Sequence, residues 1–125
     1  MKYKFLLFTI MISAQFILSQ SVSTEKAPTR IILNLTSNPA SEIAITWRTV
    51  EEVNTPQVQY AESEQWIGFE KKLSTVNGIK ENIITDKGNT VFHYSVILQK
   101  LKPNTLYIYR TGGDSIWSEW NQFTT

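Results

Sequence analysis

The run Leu101-Lys102-Pro103-Asn104-Thr105-Leu106-Tyr107 constrains the fold of this chain more than any other stretch. A Leu-x-Pro-x-Thr-x-Tyr pattern sets a turn before a strand and puts a tyrosine near the strand's start. There the ring can pack in a core while its hydroxyl bonds back to the backbone of the turn, the tyrosine corner of two-sheet antiparallel sandwiches. Tyr107-Ile108-Tyr109-Arg110 then Trp117-Ser118-Glu119-Trp120 and Phe123-Thr124-Thr125 read as the last two strands. With the corner so close to the C-terminus, the sequence is expected to stop where a sandwich ends.

The first residues are expected to lie outside the fold. Lys2 and Lys4 precede an apolar run from Phe5 to Leu18, interrupted by Thr9, Ser13 and Gln15. Spanning a bilayer takes about 20 apolar residues. The run has instead the length and flanks of a secretory signal peptide, and the chain is expected to be secreted, to a periplasm or to the extracellular medium. Cleavage can follow Ala14, Ser19 or Ser21, so 1–21 is read as signal, 22–27 as a mobile leader and 28–125 as the folded module; an uncleaved N-terminal anchor is the alternative. Losing Lys2 and Lys4 takes the formal charge from +1 to −1, which gives no electrostatic basis for binding nucleic acid, or a membrane once the signal is gone. The chain has no cysteine, which excludes disulfide-stapled scaffolds, cysteine nucleophiles and thiolate metal sites. The sequon Asn34-Leu35-Thr36 is given no weight.

From Pro28 on, short segments alternate with period 2, the mark of strands with one buried face. Ile31, Leu33 and Leu35 share a parity, as do Ile43, Ile45 and Trp47, and Trp47 is expected to plug the core. Asn38-Pro39-Ala40-Ser41 and Asn54-Thr55-Pro56 break the chain on either side, and Gln57–Ala61 forms a third strand. Ser63–Phe69 is read as a loop leading to a strand near Lys71–Val76. Asn77-Gly78 predicts a hairpin that returns through Ile79–Thr85. After a turn at Asp86–Asn89, Val91–Leu101 carries Phe92, Tyr94, Val96 and Leu98 on one face. Gly112-Gly113-Asp114 is read as the last turn, before a strand from Ile116 to Phe123. These elements predict an all-β antiparallel sandwich of about seven strands, fibronectin-III or immunoglobulin-like in class, with no convincing helix.

No residue is singled out as catalytic, cofactor-binding or metal-binding. His93 is the single histidine, placed mid-strand without cysteines or clustered carboxylates, whereas a metal site needs several converging ligands. Asp86 and Asp114, the only aspartates, sit beside glycine in turns, where a short acceptor satisfies local backbone donors. Gly113-Asp114 resembles a metallophosphatase Gly-Asp pair but is read as a turn. Glu51-Glu52 looks like a solvated edge. No phosphate loop, His-Glu-x-x-His or Gly-x-Ser-x-Gly occurs, so catalysis by this chain alone is not expected.

The aromatic residues are richer. Trp117-Ser118-Glu119-Trp120 is one residue short of the Trp-Ser-x-Trp-Ser box of cytokine-receptor modules, in which arginines stack between tryptophans. Arg110 is placed to stack in this way on Trp117 or Trp120, although ordinary hairpin packing of the rings is the preferred reading. An exposed platform of Trp66, Trp117 and Trp120 would instead suit a glycan or protein ligand, as in a free-standing adhesion or carbohydrate-binding module. The missing second serine, the absent cysteines and the lack of a membrane span weigh against a receptor-type module.

Taken in succession, several pieces resemble the N-terminal domain of purple acid phosphatases. They are Pro28–Leu35, Ile43-Ala44-Ile45-Thr46-Trp47-Arg48-Thr49, Pro56-Gln57-Val58-Gln59-Tyr60, Val91-Phe92-His93-Tyr94, Leu101–Arg110, Trp117-Ser118 and Phe123-Thr124-Thr125. The resemblance implies a fibronectin-III-like, non-catalytic module that precedes a metallophosphoesterase catalytic domain in a parent chain. That second domain would hydrolyse phosphate monoesters with two metal ions, iron paired with iron, zinc or manganese. The family's ligand series, Asp-x-Gly, Gly-Asp-x-x-Tyr, Gly-Asn-His and later histidine motifs, is not assembled in this sequence, and no metal or catalytic role passes to His93 or any other residue. The chain is therefore expected to be a fragment or truncated product whose partner, the catalytic domain, is absent.

Overall fold

The computed structural model describes residues 24–63, 68 and 72–125. Among them, a 3-10 turn at Thr24–Lys26 is followed by nine strands: β1 (Thr29–Asn34), β2 (Ile43–Thr49), β3 (Gln57–Glu62), β4 (Ser74–Asn77), β5 (Ile79–Ile84), β6 (Thr90–Leu98), β7 (Leu106–Gly113), β8 (Ile116–Trp117) and β9 (Asn121–Thr124). One antiparallel sheet runs β1-β2-β6-β5; the other runs β4-β3-β7, with β8 and β9 both on the far edge of β7. Counting β8 and β9 as one interrupted strand leaves eight, close to the expected seven.

Alternation places the core. Ile43, Ile45, Trp47 and Thr49 of β2 point inward, and Tyr94, Val96 and Leu98 of β6 meet them in register. Val58, Tyr107, Tyr109 and Phe123 close the core from the opposite sheet. Trp47 is 1% exposed and stacks on Tyr94 with ring centroids 5.4 Å apart. Tyr107 forms the anticipated corner: the backbone N–H of Lys102 donates to its hydroxyl at 2.8 Å, while its ring stacks on Phe123. Leu101 is buried, and its N–H donates to the carbonyl of Ser41, so the corner also grips the Asn38–Ser41 turn.

Four expectations change. Leu35 lies beyond the end of β1 and is exposed, so only Ile31 and Leu33 of that strand reach the core. Asn77-Gly78 makes no hairpin, because β4 pairs with β3 and β5 pairs with β6. The chain crosses between sheets there, with the Gly78 N–H donating to the Pro56 carbonyl at 2.8 Å. A side chain at Gly78 would meet the Trp47 ring at 3.1 Å, so the glycine marks a close approach rather than a tight turn. Gly112 and Gly113 belong to β7, and the two-residue loop is Asp114-Ser115, with φ of 49° and 68°. Two left-handed residues between paired Gly113 and Ile116 make a type I′ turn, which suits the twist of a hairpin. Finally, the last residues of the 22–27 leader are tied down. Val50 and Glu51 N–H groups both donate to the Glu25 carbonyl, and Lys26 pairs with Asp114 at 3.2 Å.

Candidate functional site

The outward face of β2 and β6 carries His93. Its neighbours in register are Arg48 on β2 and Glu81 on β5, a cation and a single carboxylate. No group of three or more His, Cys, Asp or Glu residues able to hold a metal ion occurs among the described residues. A two-metal centre needs many oxygen and nitrogen donors converging on ions about 3.5–4 Å apart. The donor set around His93 does not fit one. Asp86-Lys87-Gly88 has the Asp-x-Gly spelling, but it forms an exposed turn closed by the Gly88 N–H on the Thr85 carbonyl at 2.8 Å. Glu52 is paired with Lys80 across the surface.

Asp114 does more than satisfy its own turn. Its carboxylate accepts the backbone N–H groups of Asn54 at 2.8 Å and Thr55 at 3.1 Å, and the Asn54 side-chain amide at 3.2 Å. With Lys26, it staples the loop after β2 to the final hairpin. The Asn54 N–H does most to hold this carboxyl below the usual carboxylate range; partial burial opposes it, and the Thr55 N–H and Lys26 add to it. A depressed carboxyl stabilises the folded state above its unfolded pKa, and the contribution disappears as pH falls through the folded value. We therefore expect urea midpoints to fall as pH drops from about 5 towards 3. Asp114→Asn should cost about 1–2 kcal/mol at pH 7, since one charge-assisted acceptor is replaced by a neutral one, and should flatten that fall. A variant whose acid profile parallels the parent's would refute the staple's role.

The tryptophan pair is the most organised surface feature. The Arg110 guanidinium carbon lies 4.6 Å from the Trp117 ring centroid and 4.6 Å from the Trp120 ring centroid, a cation held between two indoles. Its Nε–H donates to Gln59 Oε1 on β3 at 2.8 Å. A spacing of three along an unbroken strand would put the two rings on opposite faces. The break between β8 and β9 removes that conflict. There Ser118 Oγ accepts the Thr111 N–H at 3.0 Å, and Ser118 N–H donates to the Thr111 carbonyl at 2.8 Å. Both rings thus reach one arginine, so the cation–π stack is present where ordinary hairpin packing is expected from the sequence. Contacts of this kind are worth about 0.5–1 kcal/mol each at exposed sites. Arg110 thus covers one face of each ring; Trp66, the third tryptophan of the expected platform, lies outside the described residues.

Two antiparallel sheets, a tyrosine corner and no metal-ligating cluster among the described residues define a fibronectin-III-like β-sandwich module. Solved structures agree in fold. The chain is similar to an fn3 domain of human contactin 1, at 25% identity and a TM-score of 0.56, over 79% of this chain and 76% of that one. The chicken CNTN1 FN1-FN3 domains match at 24% identity with a TM-score of 0.54, over 79% of this chain and 31% of that one. A purple acid phosphatase from yellow lupin seeds matches at 21% identity with a TM-score of 0.52, over 78% of this chain but only 19% of that enzyme. A comparison with curated protein sequences finds no match. The family is settled by sequence: residues 28–125 match the family described as purple acid phosphatase, N-terminal domain, and the chain belongs to that family.

Proposed function

We propose that this chain serves as the non-catalytic N-terminal module of a secreted purple acid phosphatase-like metallophosphoesterase. Its task is to pack against and orient a catalytic domain carried by the same parent chain. The family match over the whole sandwich, residues 28–125, carries this reading. Two further observations support it. The described residues hold no donor set for a metal centre, so phosphate ester hydrolysis needs residues from elsewhere. The chain also spans about a fifth of the lupin enzyme it resembles, which leaves room in such a protein for a second domain. The signal-like segment at 1–21 supports export, and the metals of the parent would be iron with iron, zinc or manganese.

The coding sequence beyond Thr125 tests the proposal. An open frame continuing into Asp-x-Gly, Gly-Asp-x-x-Tyr and Gly-Asn-His motifs is expected; a stop codon in that place overturns the parent-enzyme reading. Purified chain 1–125, incubated with p-nitrophenyl phosphate and added iron and zinc, should release no nitrophenol above the metal-only control. Turnover abolished by chelation would show that the module is not inert.

A further inference from the structure

We propose that the end of the β1-β2-β6-β5 sheet nearest the Thr85–Asn89 turn is a binding site for a tetrahedral oxyanion, phosphate or sulfate. Arg30, Arg48 and Lys87 line one groove there, with a volume of about 890 Å³. Lys26–Asp114, Lys80–Glu52 and Lys102–Glu62 are ion pairs between described residues, and none of the three groove cations takes part in them. Among the described residues Asp86 is the single carboxylate lining the groove, so those residues carry three positive charges against one negative.

Arg48 gives the sharpest indication. It alternates outward between the inward-pointing Trp47 and Thr49, yet its Nε is buried and has no hydrogen-bond partner among the described residues. A buried donor normally finds an acceptor, and an orphaned one calls for an occupant such as an ion. Arg30 is bent toward a purpose as well. It sits at φ 49°, in an irregular stretch where pairing with β2 jumps from Thr29 to Ile32. Bulges of this kind re-aim a side chain, and a non-glycine residue held in the left-handed region is strain that tends to gather at ligand sites. Two guanidinium groups present planar, directional donors that match the oxygens of a phosphate or sulfate. Asn89 and Thr90, both with neutral side-chain donors, line the same groove. A net surplus of two positive charges suits a dianion better than a lone carboxylate.

Two-dimensional ¹⁵N NMR of the whole chain, titrated with sodium phosphate at constant ionic strength, tests the proposal. Saturable shifts are expected at the Arg48 and Arg30 Nε–H signals and at the amides of residues 85–91, with a dissociation constant on the order of 1 mM, as for a few partly exposed charge contacts. Phenyl phosphate distinguishes the source: tighter binding than inorganic phosphate points to a phosphoryl group on a larger ligand, and equal binding to the free ion. Either supports the site. Arg48→Gln and, separately, Arg30→Gln should weaken binding at least about tenfold, while Lys100→Gln, which removes the same charge at a distant exposed position, should leave it unchanged. Arg30 lies on an exposed strand end, so its variant reads out the site even if Arg48→Gln fails to fold. Shifts that chloride reproduces, or equal weakening by Lys100→Gln, would overturn the proposal.

Discussion

Gly113→Ala is expected to destabilise the domain by about 3–4 kcal/mol, enough to leave a substantial unfolded fraction in a protein of ordinary stability. The reason lies in what surrounds the missing side chain. A Cβ at this position would lie 2.1 Å from the Thr55 carbonyl oxygen and 2.7 Å from Val53 Cγ1, with φ at 143°. Backbone on the other side of a clash can sometimes retreat, but here it is anchored three times. Val53 N–H donates to the Tyr94 hydroxyl at 2.8 Å, and the N–H groups of Asn54 and Thr55 are held by Asp114. Overpacking and an unfavourable φ therefore add. Gly88→Ala supplies the comparison: φ is 80°, but nothing lies within 4 Å, so only backbone strain of about 1–2 kcal/mol applies. Urea unfolding followed by circular dichroism measures both. Equal costs for the two variants would show that the close approach at Gly113 does not constrain the fold.

That anchored loop also shows what a sequence can and cannot reveal. Period-2 alternation in β2 and β6 is a local signal, and it placed Ile45, Trp47, Tyr94 and Leu98 in the core without knowledge of the partner strands. The corner at Tyr107 was legible for the same reason, because its donor is five residues away. Asp114 was half legible: a turn aspartate beside glycine was evident, but the N–H groups that donate to its carboxylate lie about sixty residues earlier. Asn77-Gly78 misled because the dipeptide favours a hairpin only when both flanking runs can pair with each other. Here β3 and β6 compete for β4 and β5, and they win. The Arg110 stack was visible as residue types but not as geometry, since the break at Ser118 that turns both rings to one face depends on Thr111 in the neighbouring strand. The unpaired arginines of the groove left no local pattern at all, because Arg30 and Arg48 come together only through the irregular β1–β2 register.

Trp47→Ala should cost about 3–5 kcal/mol, the range for deleting a large aromatic from a packed core. Among the described residues Trp47 is the largest fully buried side chain; it stacks on Tyr94 of the adjacent strand in its own sheet and meets the crossing between the sheets at Gly78. Its indole N–H, however, has no acceptor among the described residues. Among the described residues the ring is thus held by apolar and stacking contacts, and it carries the penalty of an unsatisfied donor, about 1–3 kcal/mol in general. Trp47→Phe keeps the stack on Tyr94 and sheds that donor, so it should cost less than half as much as the alanine variant. The contact with Gly78 yields a stricter test. Gly78→Ala in the parent drives a methyl toward the far edge of the indole at 3.1 Å, whereas the shorter phenyl ring leaves that space open. The two substitutions should therefore couple, the pair being more stable than the sum of the single losses by about 1 kcal/mol. Strict additivity in a double-mutant cycle would mean that the crossing between sheets is set by the Pro56 hydrogen bond and not by the tryptophan packed against it.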